Sequence, residues 1–310
     1  MHTTSRAWRI HGYGGPEVLH LDEIPTPQPV SGRVLVQVKA AGVNGFDWKL
    51  QAGYLQRAYP VPMPATLGLE LAGTVVQAGP GAKVFKVGDR VMGTVGMGAY
   101  ADHVAADETK LCRIPDGLSD VVAACLPVAS LTAWQALHAA GELRAGQKVL
   151  IHGASGGVGG FAVQFAKEAG VMVVASASGR NREYLLGLGA DQVLDRHTEP
   201  FEQHANGVDL VLDFVGGDLA ARSWPVLAPG GAVVSTAALD IAANAPGGYR
   251  GIFHSMRSDP ARLEQIAQSV ASGKLKTTIA EVLALSRYPE AVERNKNGHA
   301  PGKIVLDFTI

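Results

Sequence analysis

The chain has 310 residues, of which 47% are hydrophobic, and its formal net charge is −1 at pH 7. This length suits two domains that each bury a core of their own. The near-zero charge argues against nucleic acid or an anionic membrane as the main partner, since both select for basic surface. Two cysteines, Cys112 and Cys125, are too few for a disulfide framework or a zinc finger, so a reducing compartment is expected.

The sequence contains no pattern that favours export or a membrane span. The first ten residues, MHTTSRAWRI, contain no apolar signal core, and a cytoplasmic protein is expected. Residues Val121–Ala140 carry no formal charge. A bilayer would nevertheless penalise the proline and polar side chains that interrupt this stretch, namely Pro127, Ser130, Thr132, Gln135 and His138. A buried helix that links two domains is the better interpretation.

The first 120 residues are rich in Val, Gly and Pro and favour β-structure. Val34–Lys39 alternates with period two, as a half-buried strand does. Further short strands are predicted between turn residues, at Leu71–Val76, Val91–Val95 and Tyr100–Val104. Many short strands at close spacing indicate a compact, partly barrel-like β domain.

From about Ser119 strands and helices alternate. Strands are predicted at Val149–His152, Val171–Ala175, Gln192–Leu194, Val208–Phe214 and Ala232–Thr236, and helices at Gly157–Ala169, Arg182–Leu188 and Leu219–Leu227. This alternation predicts a doubly wound parallel sheet. One more helix, Ser258–Ser272, and a last strand, Lys303–Phe308, complete the first domain. The predicted boundaries are 1–120 with 262–310 for the β domain and 121–261 for the inserted α/β domain.

The segment Lys148–Gly170 carries the clearest functional signal. An apolar strand is followed by the turn Ala154-Ser155-Gly156-Gly157-Val158-Gly159, which is G-x-G-x-x-G with alanine for the first glycine, and then by an amphipathic helix. Gly156 lets the backbone approach a pyrophosphate, and Gly159 lets the helix pack on the strand. In this strand–turn–helix context the motif predicts a dinucleotide site, and a tight turn without a ligand is the alternative. Residues 154–158 are the candidate pyrophosphate contacts.

The end of the second strand of this domain indicates which nicotinamide cofactor binds. NAD sites place Asp or Glu about 20 residues past the glycines. Here the stretch from Ser176 to Arg182 contains no carboxylate. Ser176 and Arg180, and more weakly Arg182, suit a 2′-phosphate, so NADPH is predicted. The alternative is that the arginines are solvated residues at a helix start.

Seven ordered motifs now carry a resemblance over nearly the whole chain. They are Ala41–Asp47 (AGVNGFD), Leu67–Gly73 (LGLELAG), Val87–Val91 (VGDRV), Gly153–Gly159 (GASGGVG), Leu188–Asp191 (LGAD), Asp213–Gly217 (DFVGG) and Gly302–Leu306 (GKIVL). In this set the chain resembles the zinc-independent quinone oxidoreductases of the medium-chain dehydrogenase/reductase superfamily. The resemblance implies a GroES-like β domain around an inserted Rossmann domain, an α/β fold that agrees with the pattern above.

The resemblance also implies the chemistry. Zinc-dependent relatives hold their metal with Cys, His and a further Cys or acid, and the matching positions here are Asn44, Leu69 and Val128. No metal is therefore predicted. Without a Lewis acid, alcohol oxidation is disfavoured, whereas quinones and α,β-unsaturated carbonyls accept a hydride because conjugation delocalises the charge.

The candidate catalytic residues follow from the same resemblance. Asn44 and Asp47 are expected on the cleft wall near nicotinamide and substrate, although Asn44 suits equally well a residue that stabilises its own turn. Tyr54 is expected to donate a hydrogen bond to the acceptor oxygen, or to form an aromatic lid.

Further cofactor contacts are implied by resemblance along the inserted domain. Thr132 is expected at the start of the linking helix, and Val215 and Gly216 beneath the nicotinamide. Phe253 is a candidate pocket wall, and His254 is more often a packed or surface residue than a catalytic one. Arg196 stands where relatives often have a tyrosine near the 2′-phosphate.

Three functions remain open from the sequence. The first is an NADPH-dependent reductase of quinones or enones. The second is an enoyl-thioester reductase or a biosynthetic tailoring reductase, and the third is a non-catalytic NADPH-binding sensor. By resemblance a homodimer is expected through the edge of the Rossmann sheet, with Ala232–Thr236 and Ala237–Ala245 as the candidate edge; a flexible apolar loop is the alternative.

Overall fold

The computed structural model describes residues 4–298 and 300–310. The strands are β1 (Thr4–Ile10), β2 (Leu19–Pro25), β3 (Arg33–Gly42), β4 (Ala65–Thr66), β5 (Glu70–Ala78), β6 (Arg90–Thr94), β7 (His103–Asp107), β8 (Leu111–Arg113), β9 (Lys148–His152), β10 (Met172–Ala177), β11 (Gln192–Asp195), β12 (Val208–Asp213), β13 (Leu227–Ser235), β14 (Arg250–Phe253), β15 (Ile279–Ala284) and β16 (Lys303–Asp307). The helices are α1 (Gly45–Gln51), α2 (Asp120–Ala124), α3 (Pro127–Gln135), α4 (Gly157–Glu168), α5 (Arg182–Gly187), α6 (Phe201–His204), α7 (Leu219–Ser223), α8 (Pro260–Ala271) and α9 (Tyr288–Asn297).

The chain divides into two compact units. The first, here called the β unit, contains residues Met1–Val128, Ser258–Lys274 and Ile279–Ile310, and the second, the α/β unit, contains Ala129–Arg257 and Leu275–Thr278. The second unit is thus inserted in the first. The division falls inside α3, eight residues after the predicted start at 121, since 129 − 121 is 8. The sequence pattern did not indicate the short return of residues 275–278 to the α/β unit.

The α/β unit is built on a six-stranded sheet in the order β11-β10-β9-β12-β13-β14. All of its strand pairs are parallel, as the alternation of strands and helices predicted. The central strands β9, β10 and β12 are buried, mostly apolar runs, and Leu150, Val174, Val211 and Val233 form part of the core. The predicted edge Ala232–Thr236 was wrong, because β13 lies between β12 and β14, and the edge strands of this sheet are β11 and β14.

The β unit contains a three-stranded sheet, β2-β1-β4, and a larger, mostly antiparallel sheet in the order β15-β16-β3-β5-β6-β8, with β7 also paired to β3. The predicted strand at Tyr100–Val104 begins only at His103. Tyr100 instead lies fully buried in the core of this unit, against Tyr288 at a ring-centroid distance of 4.5 Å.

The uncharged stretch 121–140 is not one helix. It forms α2 and then α3, which Pro127 begins in the position where its missing N–H costs nothing, and a π-helical turn, Ala136–Ala140, follows. No helix in residues 4–298 and 300–310 is long and apolar enough to span a membrane.

Candidate functional site

The turn between β9 and α4 presents backbone N–H groups at the start of a helix. Gly156 is the N-cap and supplies no side-chain cap, and the first bond within the helix runs from Gly160 N to Gly156 O (2.9 Å). The N–H groups of residues 157–159 are therefore open to an anion. A Cβ on Gly159 would lie 2.6 Å from Ala154 Cα, so only glycine lets α4 pack this closely on the turn. This cradle fits a pyrophosphate, and the chain forms it from its own backbone.

Three of the predicted phosphate contacts lie at neighbouring strand ends. Ser176 lies near the end of β10, and its carbonyl accepts a hydrogen bond from Ala154 N (3.3 Å), which ties the strand end to the glycine turn. Arg180 follows β10, and Arg196 follows the paired strand β11. Both arginines are exposed. Arg196 Nε lies 3.1 Å from His197 Nε2, and Arg180 makes no side-chain hydrogen bond or ion pair with any other residue in the described ranges.

Arg182, the weakest of the predicted phosphate ligands, is already engaged within the unit. Its guanidinium donates to Val193 O (2.6 Å) and pairs with Glu199 (2.5 Å). The structure also gives Ser155 a role in the turn, because its hydroxyl accepts a hydrogen bond from Asn181 Nδ2 (3.0 Å). Of the three predicted arginines, Arg180 and Arg196 form no ion pair within the described residues, whereas Arg182 does.

A buried carboxylate organises the ends of β12 and β13. Asp213 is fully buried, and its Oδ1 accepts hydrogen bonds from the N–H groups of Val215 (3.0 Å) and Gly216 (2.9 Å). Its Oδ2 accepts from the hydroxyl of Ser235 (2.7 Å). Val215 is 44% exposed, while its N–H group is already used. Val215 and Gly216 are thus held by a residue to which sequence reasoning gave no role.

The remaining candidate cofactor contacts of the α/β unit differ in how much of each residue is exposed to solvent. Phe253 ends β14 and is half-buried against the core of the unit. His254 donates its backbone N–H to Ser235 O (2.9 Å), and its Nε2 is buried without a hydrogen-bond partner in the described chain. Burial lowers the pKa of His254 and favours the neutral ring. Thr132 is 7% exposed within α3, so it offers little surface in this arrangement.

In the β unit Asp47, which was expected near nicotinamide and substrate, is enclosed by hydrogen-bond donors. This residue is 1% exposed, and its Oδ2 accepts hydrogen bonds from Asn44 N (2.8 Å) and from the Tyr100 hydroxyl (2.5 Å). Burial raises the pKa of Asp47 to about 6, against the opposing effect of these donors. The carboxylate is thus held within the β unit by these donors. It caps the N-terminus of α1, where the helix dipole favours negative charge.

The side chain of Asn44 is committed to its own neighbourhood. Its Nδ2 donates to Glu70 Oε1 (3.0 Å) and Gly42 O (3.3 Å), and its Oδ1 accepts from Lys303 Nζ (2.6 Å). Of the two interpretations of Asn44, this geometry supports the one in which the amide stabilises the local backbone. The same contacts reveal a buried ion pair, Lys303 Nζ to Glu70 Oε1 at 2.5 Å, with side-chain exposures of 6% and 0%.

Tyr54 is the open member of the catalytic set. It follows Gly53, whose φ of +85° permits the turn, and its residue exposure is 74%. The ring stands edge-on to Trp48 at 6.0 Å, and the hydroxyl has no hydrogen-bond partner among the residues described. A hydrogen-bond donor to substrate and an aromatic lid are both compatible with this position.

The positions that the resemblance matches to the zinc ligands of metal-dependent relatives carry an amide, Asn44, and the aliphatic residues Leu69 and Val128. Glu70 beside them is already paired with Lys303, and its other oxygen accepts from Val128 N (2.7 Å). Throughout the described ranges, no group of three or more His, Cys, Asp or Glu side chains is placed to hold a metal ion.

Sequence reasoning missed the roles of Glu70, Lys303, Tyr100 and Asp213. A usable signal existed for three of them. Glu70 and Lys303 are charged residues within apolar strands, and Asp213 ends the apolar strand β12. A charge at a buried position predicts a partner, although the sequence does not say which residue supplies it.

Comparison with known protein families and sequences agrees with both units. Residues 30–116 match the family described as alcohol dehydrogenase GroES-like domain, and residues 188–306 match the family described as zinc-binding dehydrogenase. The quinone-oxidoreductase homolog, chloroplastic, of Spinacia oleracea is 34% identical over 97% of this chain and 98% of its own. Erythronolide synthase EryA2 of Saccharopolyspora erythraea is 37% identical over 96% of this chain, which spans only 9% of that protein.

A solved structure agrees with the whole architecture. Escherichia coli quinone oxidoreductase complexed with NADPH superposes with a TM-score of 0.89 at 28% sequence identity. The match covers 97% of this chain and 99% of that one. The fold predicted from the strand and helix pattern is therefore confirmed.

Proposed function

Because the chain belongs to the quinone oxidoreductase branch of the medium-chain dehydrogenase/reductase superfamily, we propose that it reduces quinones or α,β-unsaturated carbonyls with NADPH and without a metal ion. The observation that carries the proposal is the start of α4. There the N–H groups of residues 157–159 are open, and Gly159 lets the helix pack closely on the turn before it. Sites of this kind bind the pyrophosphate of a dinucleotide.

The choice of NADPH rests on charge at the ends of β10 and β11. Arg180 and Arg196 are exposed there, whereas Arg182 is occupied by Val193 and Glu199. Two guanidinium groups beside Ser176 suit a 2′-phosphate, and no carboxylate between Ser176 and Arg182 is present to accept from a 2′-hydroxyl. The NADPH bound by the E. coli neighbour supports the same assignment.

The metal-free chemistry rests on the side chains of the β unit. When bound, the reduced nicotinamide supplies a hydride, a proton with two electrons. A quinone or enone can take it because conjugation carries the resulting negative charge to oxygen, and one proton from solvent then completes the hydroquinone or saturated carbonyl. Tyr54 is placed in the open to donate a hydrogen bond to such an oxygen. The Lys303 ammonium already neutralises the Glu70 carboxylate, and Glu70 therefore requires no metal ion as a counter-charge.

A specific observation favours a second candidate. The identity to erythronolide synthase EryA2, 37%, is higher than the 34% to the quinone-oxidoreductase homolog, and a match to a synthase supports a biosynthetic reductase, acting for example on an enoyl thioester, as the alternative activity. In that case the thioester and its carrier, rather than the conjugated carbonyl alone, would determine the substrate.

The proposed function is tested by following the absorbance of reduced nicotinamide with NADPH and NADH in parallel. The acceptors are phenanthrenequinone, benzoquinone, a simple enone and crotonyl-CoA, each with and without a chelator. We expect turnover of the quinones or the enone that prefers NADPH and does not respond to the chelator. Turnover of crotonyl-CoA alone would favour the thioester reductase, and loss of turnover with chelator would contradict the metal-free mechanism.

Removing the guanidinium groups of Arg180 and Arg196 tests the cofactor assignment. We expect Arg180→Ala and Arg196→Ala each to weaken NADPH binding about tenfold, the scale of one hydrogen bond to a charged group, and to leave NADH binding unchanged. Arg182→Ala is the matched control, because its guanidinium is engaged inside the unit and its loss should affect both cofactors alike. Fluorescence titration with NADPH and with NADH gives the dissociation constants of each variant. Equal losses for NADPH and NADH in the first two variants would contradict the phosphate site.

The proposal extends to assembly and location. A homodimer is proposed through the edge of the six-stranded sheet, at β14. A reducing, cytoplasmic location is proposed because Cys112 and Cys125 are both free and buried, and burial raises the pKa of each thiol to about 12.

A further inference from the structure

The place in the α/β unit where strand order reverses is occupied by a negative charge. From β9 the chain proceeds to β10 and β11 on one side of the sheet, while β12, β13 and β14 lie on the other. Open parallel sheets bind ligands outside the carboxyl ends of their strands at such a switch point. Asp213 is the last residue of β12 and is paired in register with His152, the last residue of β9.

The loops that follow these strands pack against one another at this point. A Cβ on Gly153 would lie 2.9 Å from Val215 Cγ2, and one on Gly216 would lie 2.8 Å from Ala237 Cβ. The loops after β9, β12 and β13 therefore form one contiguous surface. Asp213 lies directly beneath it, since it accepts hydrogen bonds from the N–H groups of Val215 and Gly216.

The three hydrogen bonds to Asp213 are all directed at its carboxyl oxygens. Ser235 Oγ accepts from the N–H groups of Ala237 (3.1 Å) and Ala238 (2.9 Å), so its own proton is directed to Asp213 Oδ2. Asp213 thus accepts three hydrogen bonds and donates none, as a carboxylate does. An asparagine here would direct its NH₂ group either at Ser235 or at the loop N–H groups.

No cation neutralises this carboxylate within the described part of the chain. Asp213 has no ion pair with Lys or Arg in residues 4–298 and 300–310. The nearby imidazole of His152 contacts Ser223 (3.1 Å), and burial lowers the pKa of His152 to about 4, so its ring is neutral at pH 7. The carboxylate is therefore balanced by backbone and hydroxyl dipoles only, and its field reaches the loop surface.

From this arrangement we infer that Asp213 is an electrostatic positioning residue that makes the site favour the oxidised, positively charged nicotinamide over the reduced, neutral one. The inference rests on the proposed function. NADP⁺ and NADPH share the same adenosine, phosphates and ribose, so contacts such as those of Arg180 contribute equally to both affinities. The nicotinamide charge differs, and a buried carboxylate beneath the loop of Val215 acts on that difference.

The test is the ratio of the dissociation constants of NADP⁺ and NADPH, measured by calorimetry on the full chain. Asp213→Asn removes the charge, and we expect this ratio to rise about tenfold, the effect of one unit charge about 12 Å away at an effective dielectric constant of about 20. Ser235→Ala is the matched control. It removes hydrogen bonds to the same loops but keeps the charge, so both constants should weaken together and leave the ratio unchanged.

The possible outcomes separate the role of Asp213 from the proposed function. An unchanged ratio in Asp213→Asn, or the same change in Ser235→Ala, would show that Asp213 only shapes the loops and would overturn the inference. If Asp213→Asn does not fold, Asp213→Ser supplies the neutral comparison, because a water molecule can fill the space beside its shorter side chain. Failure of the unsubstituted protein to bind either form would contradict the proposed function itself.

Discussion

Replacing Gly159 with alanine is expected to remove measurable NADPH binding and to destabilise the α/β unit. The added Cβ would lie 2.6 Å from Ala154 Cα and 2.7 Å from the Ala154 carbonyl carbon. These neighbours are backbone atoms, which no side-chain rotation can move aside. To accept the methyl group, the start of α4 has to move away from the turn, and with it the N–H groups of residues 157–159. We expect at least roughly a hundredfold loss of affinity and about 1–3 kcal/mol of stability, the usual cost of overpacking.

The measurement combines fluorescence titration with NADPH and thermal unfolding. Gly187→Ala is the control, because Gly187 ends α5, has no positive φ, and an added Cβ there meets nothing within 4 Å. That variant should bind NADPH normally and be as stable as the unsubstituted protein or slightly more so. If Gly159→Ala retained wild-type affinity, the anion cradle at α4 would not be the cofactor site.

Much of the α/β unit could be predicted from the sequence. Its signals are local: an apolar strand, a glycine turn and an amphipathic helix follow one another within Lys148–Gly170. The buried parallel strands are short apolar runs that stand out against the helices between them. The edge strand β14 was missed because Arg250–Phe253 is short, half-buried and lacks that apolar run.

The β unit shows the limit of the same reasoning. The capping arrangement at α1 was not predicted. From the sequence, Asn44 suits a residue that stabilises its own turn as well as a residue of the cleft wall. What decides between these roles is supplied from far along the chain. Tyr100 is 53 residues from Asp47, and Lys303 is 259 residues from Asn44. Contacts over such separations depend on strand pairing that no local pattern specifies.

The sequence predicted the protein family more directly than it predicted the roles of individual catalytic residues. The ordered motifs identified the family, and the comparisons agree. Individual roles drawn from the same resemblance stay predictions, and the structure gives them different settings: Asp47 is a buried residue of α1, while Tyr54 is open to solvent. A motif predicts the position of a residue on the backbone, and burial then determines whether its side chain can meet a substrate.

The second large effect is expected at the buried pair of Glu70 and Lys303. Glu70→Gln leaves the Lys303 ammonium without its counter-ion, and Lys303→Met leaves the Glu70 carboxylate without its own. Because each partner is at most 6% exposed, we expect either substitution to lower the free energy of unfolding of the β unit by about 3–5 kcal/mol. Each substitution also alters one of the hydrogen bonds of Asn44.

The double variant, which combines Glu70→Gln with Lys303→Met, should recover most of that loss. With both charges gone, the Asn44 amide can turn so that its oxygen accepts from the introduced glutamine, and the introduced methionine fills the volume of the lysine stem. We therefore expect the double variant to lie within about 2 kcal/mol of the unsubstituted protein, since neutral replacement of a buried pair is often nearly neutral in stability. Urea unfolding, fitted with one transition for each unit, gives the coupling energy.

The exposed pair Arg287–Glu290, with side-chain exposures of 51% and 38%, is the control cycle and should give a coupling of under about 1 kcal/mol. Equal couplings at both sites would mean that Glu70 and Lys303 reach water and that their charges are screened. A large coupling at the buried pair alone would establish that Lys303 and Glu70 stabilise the β unit as a buried ion pair. The lysine would then be the cation that this chain carries beside the positions where metal-dependent relatives hold zinc.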